Sequence, residues 1–250
     1  MRSVLFEIAY WVLSGFYAIT GALFALLPGR GPVTAVIRLY TRRMMWAMHW
    51  IAGIKVELKG KEQLPEGAFI VAAKHQSWGD GYVMFANIDR LVFVTGDHLE
   101  KIPLLKGLLH KLGAIVVNNC GGLEARRALA DSAAIANAEG RRILIYPEGN
   151  LAKAGERFRY RTGVFHMYRD FGLPVVPVAT NLGLFWRQQE FKKHAGIATV
   201  EFLDPIPPGL DRNEFMARLE GVVEGRTSEL IAAATGEPVR ESVLVPAPGE

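Results

Sequence analysis

Residues Ile8 to Leu27 form a run of twenty without a charge. As a helix rising 1.5 Å per residue, such a run spans ~30 Å, the thickness of a bilayer's hydrocarbon core. Tyr10, Trp11, Phe16, Tyr17 and Phe24 are scattered through it, while Ser14, Gly15, Thr20 and Gly21 weaken its hydrophobicity. Pro28-Gly29-Arg30-Gly31-Pro32 ends it, and a second apolar patch, Met44 to Ile54, follows the basic set Arg38, Arg42 and Arg43. The pattern reads as two helices joined by a Pro/Gly turn. A cleaved signal peptide is disfavoured, because neither a short apolar core nor a small-residue cleavage site is evident. A buried core helix is disfavoured because the run exceeds what a small domain usually buries. Two readings stay open: a span with the basic excess on its cytoplasmic side, and a monotopic hairpin with both apolar patches in one leaflet. Both leave the remaining chain in the cytoplasm.

Composition supports a lipid setting. The chain of 250 residues is half apolar and 22% charged, which excludes a disordered or collagen-like polymer. One cysteine excludes a disulfide framework and a Cys-rich zinc site. Mean hydropathy is +0.15 and the pI about 9.2. A formal charge of +4 suits anionic lipid or phosphorylated substrates at least as well as nucleic acid, and no nucleic-acid partner is expected.

From Lys55 onwards the pattern changes. Short β-rich runs lie at Lys55–Leu58, Ala68–Ala73, Arg90–Thr95, Ala114–Val117, Arg142–Tyr146, Val175–Ala179 and Ala198–Leu203. Helical candidates separate them: Asp80–Ile88, Leu99–Leu112, Leu123–Ala138, Gly163–Phe171 and Asp211–Ala234. Strands alternating with helices predict an α/β layered domain with a largely parallel sheet. Pro174 and Pro177 place one run near an edge or a bulge. The division expected is 1–54 for membrane-associating helices, 55–235 for the α/β domain and 236–250 for a Pro-rich, flexible tail.

Chemistry collects where strands of such sheets end. The apolar run Phe69–Ala73 and Lys74 lead abruptly into His75-Gln76-Ser77-Trp78-Gly79-Asp80. Two readings of His75 and Asp80 stay open at this spacing: a structural loop pair, and a general-base dyad in which a tight turn sets the carboxylate against the ring, fixes the tautomer, stabilises the imidazolium and leaves the other nitrogen to take a proton. A second strand, Arg142–Tyr146, delivers Pro147-Glu148-Gly149-Asn150, followed by Lys153, Arg157, Arg159 and Arg161. Gly149 lets a substrate approach the backbone, and the basic residues can hold a phosphate. Arg157, Arg159 and Arg161 lie two apart, so an extended segment puts them on one face with Phe158 and Tyr160 on the other. Cys120 lacks a neighbouring base, and no G-x-S-x-G surrounds Ser77. Walker and G-x-G-x-x-G loops are absent. His110, His166 and His194 have no ligand-spaced partner, and no metal is expected. Trp46, Met48 and Trp50 read as membrane or core packing.

Together these residues resemble the glycerolipid acyltransferases, in particular the 1-acyl-glycerol-3-phosphate acyltransferases. The family's H-x-x-x-x-D matches His75 and Asp80, and its N-H-Q-S-like form is similar to Lys74-His75-Gln76-Ser77. Its P-E-G-T-R matches Pro147, Glu148 and Gly149. The stretch Leu99 to Gly107, with Lys101, looks like its second motif, and Leu173 to Ala179 like its fourth. The resemblance implies transfer of a fatty acyl group from acyl-CoA or acyl carrier protein to the free hydroxyl of lysophosphatidic acid, with no cofactor. It implies His75 as the base, Asp80 as its orienting partner, and Glu148, Gly149 and Lys101 as substrate-binding residues. Asn150-Leu151 stand where the family has Thr-Arg, and Asn118-Asn119 where it commonly has an acidic residue or Asn followed by Arg. A phosphate-bearing acceptor therefore needs other arginines, and Arg157, Arg159 and Arg161 are the candidates; the other reading of that row is contact with anionic lipid head groups at the membrane surface. The alternatives are an acyltransferase for another lyso-lipid, such as lyso-ornithine lipid, and a non-catalytic membrane-binding relative.

Overall fold

The computed structural model describes residues 1–101, 103–117, 123–188 and 190–247. Its strands are β1 (Ile54–Lys59), β2 (Ile70–Ala73), β3 (Leu91–Gly96), β4 (Ile115–Val117), β5 (Arg142–Ile145), β6 (Glu156–Arg157), β7 (Val175–Thr180), β8 (Gly196–Phe202) and β9 (Val243–Leu244). The helices are α1 (Arg2–Ala25), α2 (Gly31–Ala47), α3 (Gly79–Asn87), α4 (Pro103–Leu112), α5 (Leu123–Ala138), α6 (Gly163–Phe171) and α7 (Arg212–Thr235). Seven strands make one sheet in the order β1-β8-β7-β2-β5-β3-β4, and β6 pairs with β9. Within the large sheet only the β7–β8 pair is antiparallel. The expected α/β architecture is present.

β2 lies at the centre, and all four of its residues are buried. Alternation sends Val71 and Ala73 into a core that includes Phe6, Met44, Met48, Val83 and Phe202. Ile70 and Ala72 point the other way, into a core that includes Val164, Phe165, Tyr168, Phe215 and Leu219. Helices thus cover both faces, as a parallel sheet requires.

β7 corrects one expectation. It sits inside the sheet between β8 and β2, not at an edge. Pro177 is accommodated by a bulge, the other half of that expectation. Val178 lies opposite Phe202, whereas Val175 lies opposite Ile206, so three steps on β7 face four on its partner. Pro177 falls in that gap, where its carbonyl accepts from Leu203 N–H at 2.9 Å.

The N-terminal hairpin is built into the same body. α2 begins at Gly31, with Pro32 in its first turn, and carries Arg38, Arg42 and Arg43 within it. A π-helical turn, Met48–Ala52, continues it. On α1, Phe6 is fully buried and meets Trp186 edge-on at 5.0 Å, Glu7 pairs with Lys193 at 2.6 Å, and Ser14 bonds Tyr40 at 2.8 Å. The other face of α1 exposes Val4, Ile8, Trp11, Val12, Phe16, Ile19 and Leu23. Beyond Gly236, Val243 N–H donates to the Gly155 carbonyl and Val245 N–H to that of Arg157, both at 2.9 Å.

Candidate active site

β2 ends at Ala73, and Lys74 still donates its backbone N–H to Val178 O at 2.9 Å. The chain then turns through residues 75–78 into α3. Asp80 sits in the first turn of α3, where a negative charge is favoured. Its Oδ2 accepts from Gln76 N and Ser77 N, each at 2.8 Å, and meets His75 Nδ1 at 3.0 Å. Two backbone donors thus clamp the carboxylate before it touches the ring. Ser77 Oγ accepts from Gly79 N at 3.0 Å and is fully buried, which gives this hydroxyl a turn-forming role. Gly79 is closely packed: a Cβ there would stand 2.8 Å from a Leu182 methyl and 3.2 Å from Trp186, so those side chains would have to shift.

β5 delivers Tyr146 and the turn Pro147-Glu148-Gly149. The Tyr146 ring stacks on His75, centroid to centroid 3.8 Å and 14° from parallel. Gly149 has φ +69°, and Arg161 packs its guanidinium against the space a Cβ would fill, with Nε 2.9 Å from that point. The loops are joined directly, since Ala152 N–H donates to His75 O and Arg161 N–H to Pro147 O, both at 2.8 Å.

His75, Tyr146, Gly149 and Arg161 line one cavity of about 1130 Å³ with Tyr10 and Tyr17 of α1, Tyr82 and Phe85 of α3, and Leu105 and Leu108 of α4. That exceeds the usual range for a small-molecule site and is mostly apolar in its walls. With Nδ1 engaged by Asp80, Nε2 is the nitrogen left to exchange a proton with a substrate.

Under the two loops lies a charge network that sequence reasoning did not find. Lys74 Nζ donates to Glu224 Oε1 at 2.8 Å, Glu156 O at 3.0 Å and Glu148 Oε2 at 3.1 Å, using all three of its protons. Glu148 Oε2 also accepts from Phe158 N at 2.8 Å; Glu224 accepts from Tyr160 OH at 2.9 Å and Ser242 Oγ at 2.7 Å. The Lys74 and Glu148 side chains have no exposed surface. Burial pushes the Glu148 carboxyl up to about 7, against the opposing pull of the Lys74 charge and the Phe158 N–H.

The residues singled out from the sequence therefore part company. His75, Asp80 and Gly149 converge. Glu148 stands next to them, but its carboxylate is turned away and committed to Lys74. The alternation of the arginine row holds, with Phe158 and Tyr160 buried, yet the three guanidiniums do not share a site. Arg157 pairs with Glu220 at 3.3 Å and reaches Ser242 O. Arg159 lines a separate cleft of about 540 Å³ beside Leu244 to Ala247, and Arg161 lines both that cleft and the His75 cavity. Lys101 is exposed at the end of a short turn and does not line the cavity. Ile102, Asn118, Asn119 and Cys120 lie outside the described residues. Among the described residues, no three His, Cys, Asp or Glu side chains are grouped to hold a metal.

The acyltransferase family model matches residues 55–181, just over half of the chain. The chain belongs to the acyltransferase family. It is 27% identical over 252 residues to the 1-acyl-sn-glycerol-3-phosphate acyltransferase of Pseudomonas aeruginosa, covering 99% of this chain and 96% of that one. A Limnanthes douglasii protein of the same name is 25% identical, over 63% of this chain and 56% of its own. The fold matches the crystal structure of the 1-acyl-sn-glycerophosphate acyltransferase of Thermotoga maritima with a TM-score of 0.75 at 21% identity, over 93% of this chain and 98% of that one.

Proposed function

We propose that this acyltransferase moves a fatty acyl group from an acyl thioester, on coenzyme A or acyl carrier protein, to the free hydroxyl of lysophosphatidic acid, giving phosphatidic acid. The observation that carries the mechanism is the His75 Nδ1 to Asp80 Oδ2 contact of 3.0 Å at the wall of a large apolar cavity. The acceptor hydroxyl gives its proton to His75 Nε2 as its oxygen attacks the thioester carbonyl. Asp80 holds the ring and balances the charge that forms on it. Collapse of the tetrahedral intermediate expels the thiolate, which recovers the proton from His75. Apolar walls hold the acyl chain.

On this reading Arg161 holds the acceptor phosphate; in support, it alone of the three arginines lines the His75 cavity, and its planar fork binds two phosphate oxygens at once. Arg161→Ala is expected to lower kcat/KM for lysophosphatidic acid by about tenfold or more, and Arg157→Ala, already committed to Glu220, to leave it nearly unchanged. Steady-state kinetics in detergent with lysophosphatidic acid and lyso-ornithine lipid side by side test the head-group reading. A kcat/KM that favours lyso-ornithine lipid and ignores Arg161→Ala moves the assignment to that acceptor.

Membrane attachment falls to residues 1–54, with 55–235 carrying the acyl transfer on the cytoplasmic side, where both donors reside. One face of α1 is packed on the body and the other is a row of exposed apolar side chains, which favours a helix lying in the interface over one that spans. Deleting α1 would open the core at Phe6, so outward substitutions are the cleaner probe. Trp11→Ser with Phe16→Ser removes two side chains that are 68% and 60% exposed. At about 1.5–3 kcal/mol for each large apolar group taken from water, vesicle sedimentation is expected to weaken more than tenfold with the melting temperature unchanged. Undiminished binding would show that another surface attaches the protein.

A further inference from the structure

His75 is held on two sides. Asp80 takes its edge through Nδ1, and the Tyr146 ring covers its face at 3.8 Å and 14°. We propose that Tyr146 is a positioning residue for acyl transfer, its ring face stabilising the imidazolium that forms as His75 takes the acceptor's proton; the inference rests on the base role proposed above for His75.

An aromatic face carries the negative lobe of the ring quadrupole, and it attracts a cation placed over it most strongly where water is excluded. Neutral imidazole gains only a stacking contact from this arrangement. Imidazolium gains the electrostatic term as well, so the contact is stronger in the transition state than in the ground state and lowers the barrier between them. The His75 side chain is only 18% exposed, which keeps the term from being screened. The same contact limits tilting of the ring and keeps Nδ1 on Asp80. β5 fixes the geometry, since Tyr146 follows its last residue and the preceding four are hydrogen-bonded into the sheet.

The phenol oxygen is not the working part. It is buried and has no hydrogen-bond partner among the described residues. Burial, reinforced by the nearby Asp80 charge, holds the phenol far above its ordinary pKa, so the ring remains neutral. An unpartnered buried hydroxyl is a cost to the fold, and replacing it with hydrogen retains the face that His75 sees.

The test is a series at one position: Tyr146→Phe, then phenylalanines at 146 carrying two, three and five ring fluorines, incorporated into the full-length protein. Fluorine drains charge from the ring face with little change in shape, so a role limited to packing leaves the series flat. The expected result is a stepwise fall in kcat of about tenfold across the fluorinated set, measured against Tyr146→Phe as its unfluorinated reference. Acceptor KM should stay within about twofold. A flat kcat overturns the inference. So does a Tyr146→Phe enzyme as inactive as His75→Ala, because the hydroxyl would then be doing the work. His75→Ala is assayed alongside. If it retains full activity, the base role itself is wrong; if it is inactive while the fluorinated series is flat, only the inference about Tyr146 fails.

Discussion

His75→Ala is expected to lower kcat/KM by about 10²–10⁴ with the fold intact, the range for loss of a positioned general base. The side chain stacks on Tyr146 and bonds Asp80 at the wall of the cavity, so its removal mainly enlarges the cavity it already lines. At about 1.36 kcal/mol per decade, this is roughly 3–5 kcal/mol of transition-state stabilisation. Asp80 needs a different substitution. Because its Oδ2 also accepts from Gln76 N and Ser77 N, Asp80→Ala removes the clamp on the loop together with the partner of the base. Asp80→Asn keeps an oxygen for the backbone donors and loses the charge, so a fall of about the same order should appear in kcat with acceptor KM little changed. Equal activity of wild type and His75→Ala would rule out this mechanism.

The second large effect is on stability. Lys74→Met strands Glu148 and Glu224 beneath the site without their ammonium. Breaking a buried pair in this way costs about 3–5 kcal/mol, which for a chain of this size lowers the melting temperature by roughly 6–20 °C. Combining Lys74→Met with Glu148→Gln and Glu224→Gln removes the stranded charges and should return most of the loss. The effect also depends on pH. The Glu148 carboxyl is raised in the fold to about 7 from an ordinary 4.5, so the native state holds its proton more tightly than the unfolded chain does. Its contribution to stability is therefore complete below pH 4.5 and lost as pH climbs through 7. Calorimetry should find that wild type melts lower at pH 8 than at pH 5, and that Glu148→Gln flattens this part of the slope. Lys74→Met should be hurt more at pH 8 than at pH 5, since a protonated carboxyl needs no counter-ion. An unchanged melting temperature for Lys74→Met would mean that the network contributes nothing.

How much of this was legible in the sequence follows from the range of each interaction. Local signals carried far. Short β-rich runs between helical candidates located the strands of the large sheet, and the five-residue step from His75 to Asp80 suggested a dyad because a strand–turn–helix closes that distance by itself. The place of β7 inside the sheet was not legible, because its prolines fit an edge as well as a bulge, and the irregular partner at residues 202–206 lies elsewhere in the chain. The one-sided burial of α1 escaped for a different reason: Phe6 and Tyr17 on the packed face are as apolar as Trp11 and Phe16 on the exposed one. Lys74 was the largest omission. Its partners are 74 and 150 positions away, and a lysine beside a catalytic motif reads as solvated until the fold closes over it. The same distance problem divided the arginine row, whose alternation is local while Glu220, the partner of Arg157, belongs to α7.

The most direct measurement is product identification. Purified protein is given lysophosphatidic acid and an isotopically labelled acyl-CoA, and mass spectrometry follows the label while free thiol is counted. Labelled phosphatidic acid should appear one for one with free coenzyme A, and His75→Ala should abolish both. Thiol release without labelled phosphatidic acid, or undiminished labelled product from His75→Ala, would contradict the account.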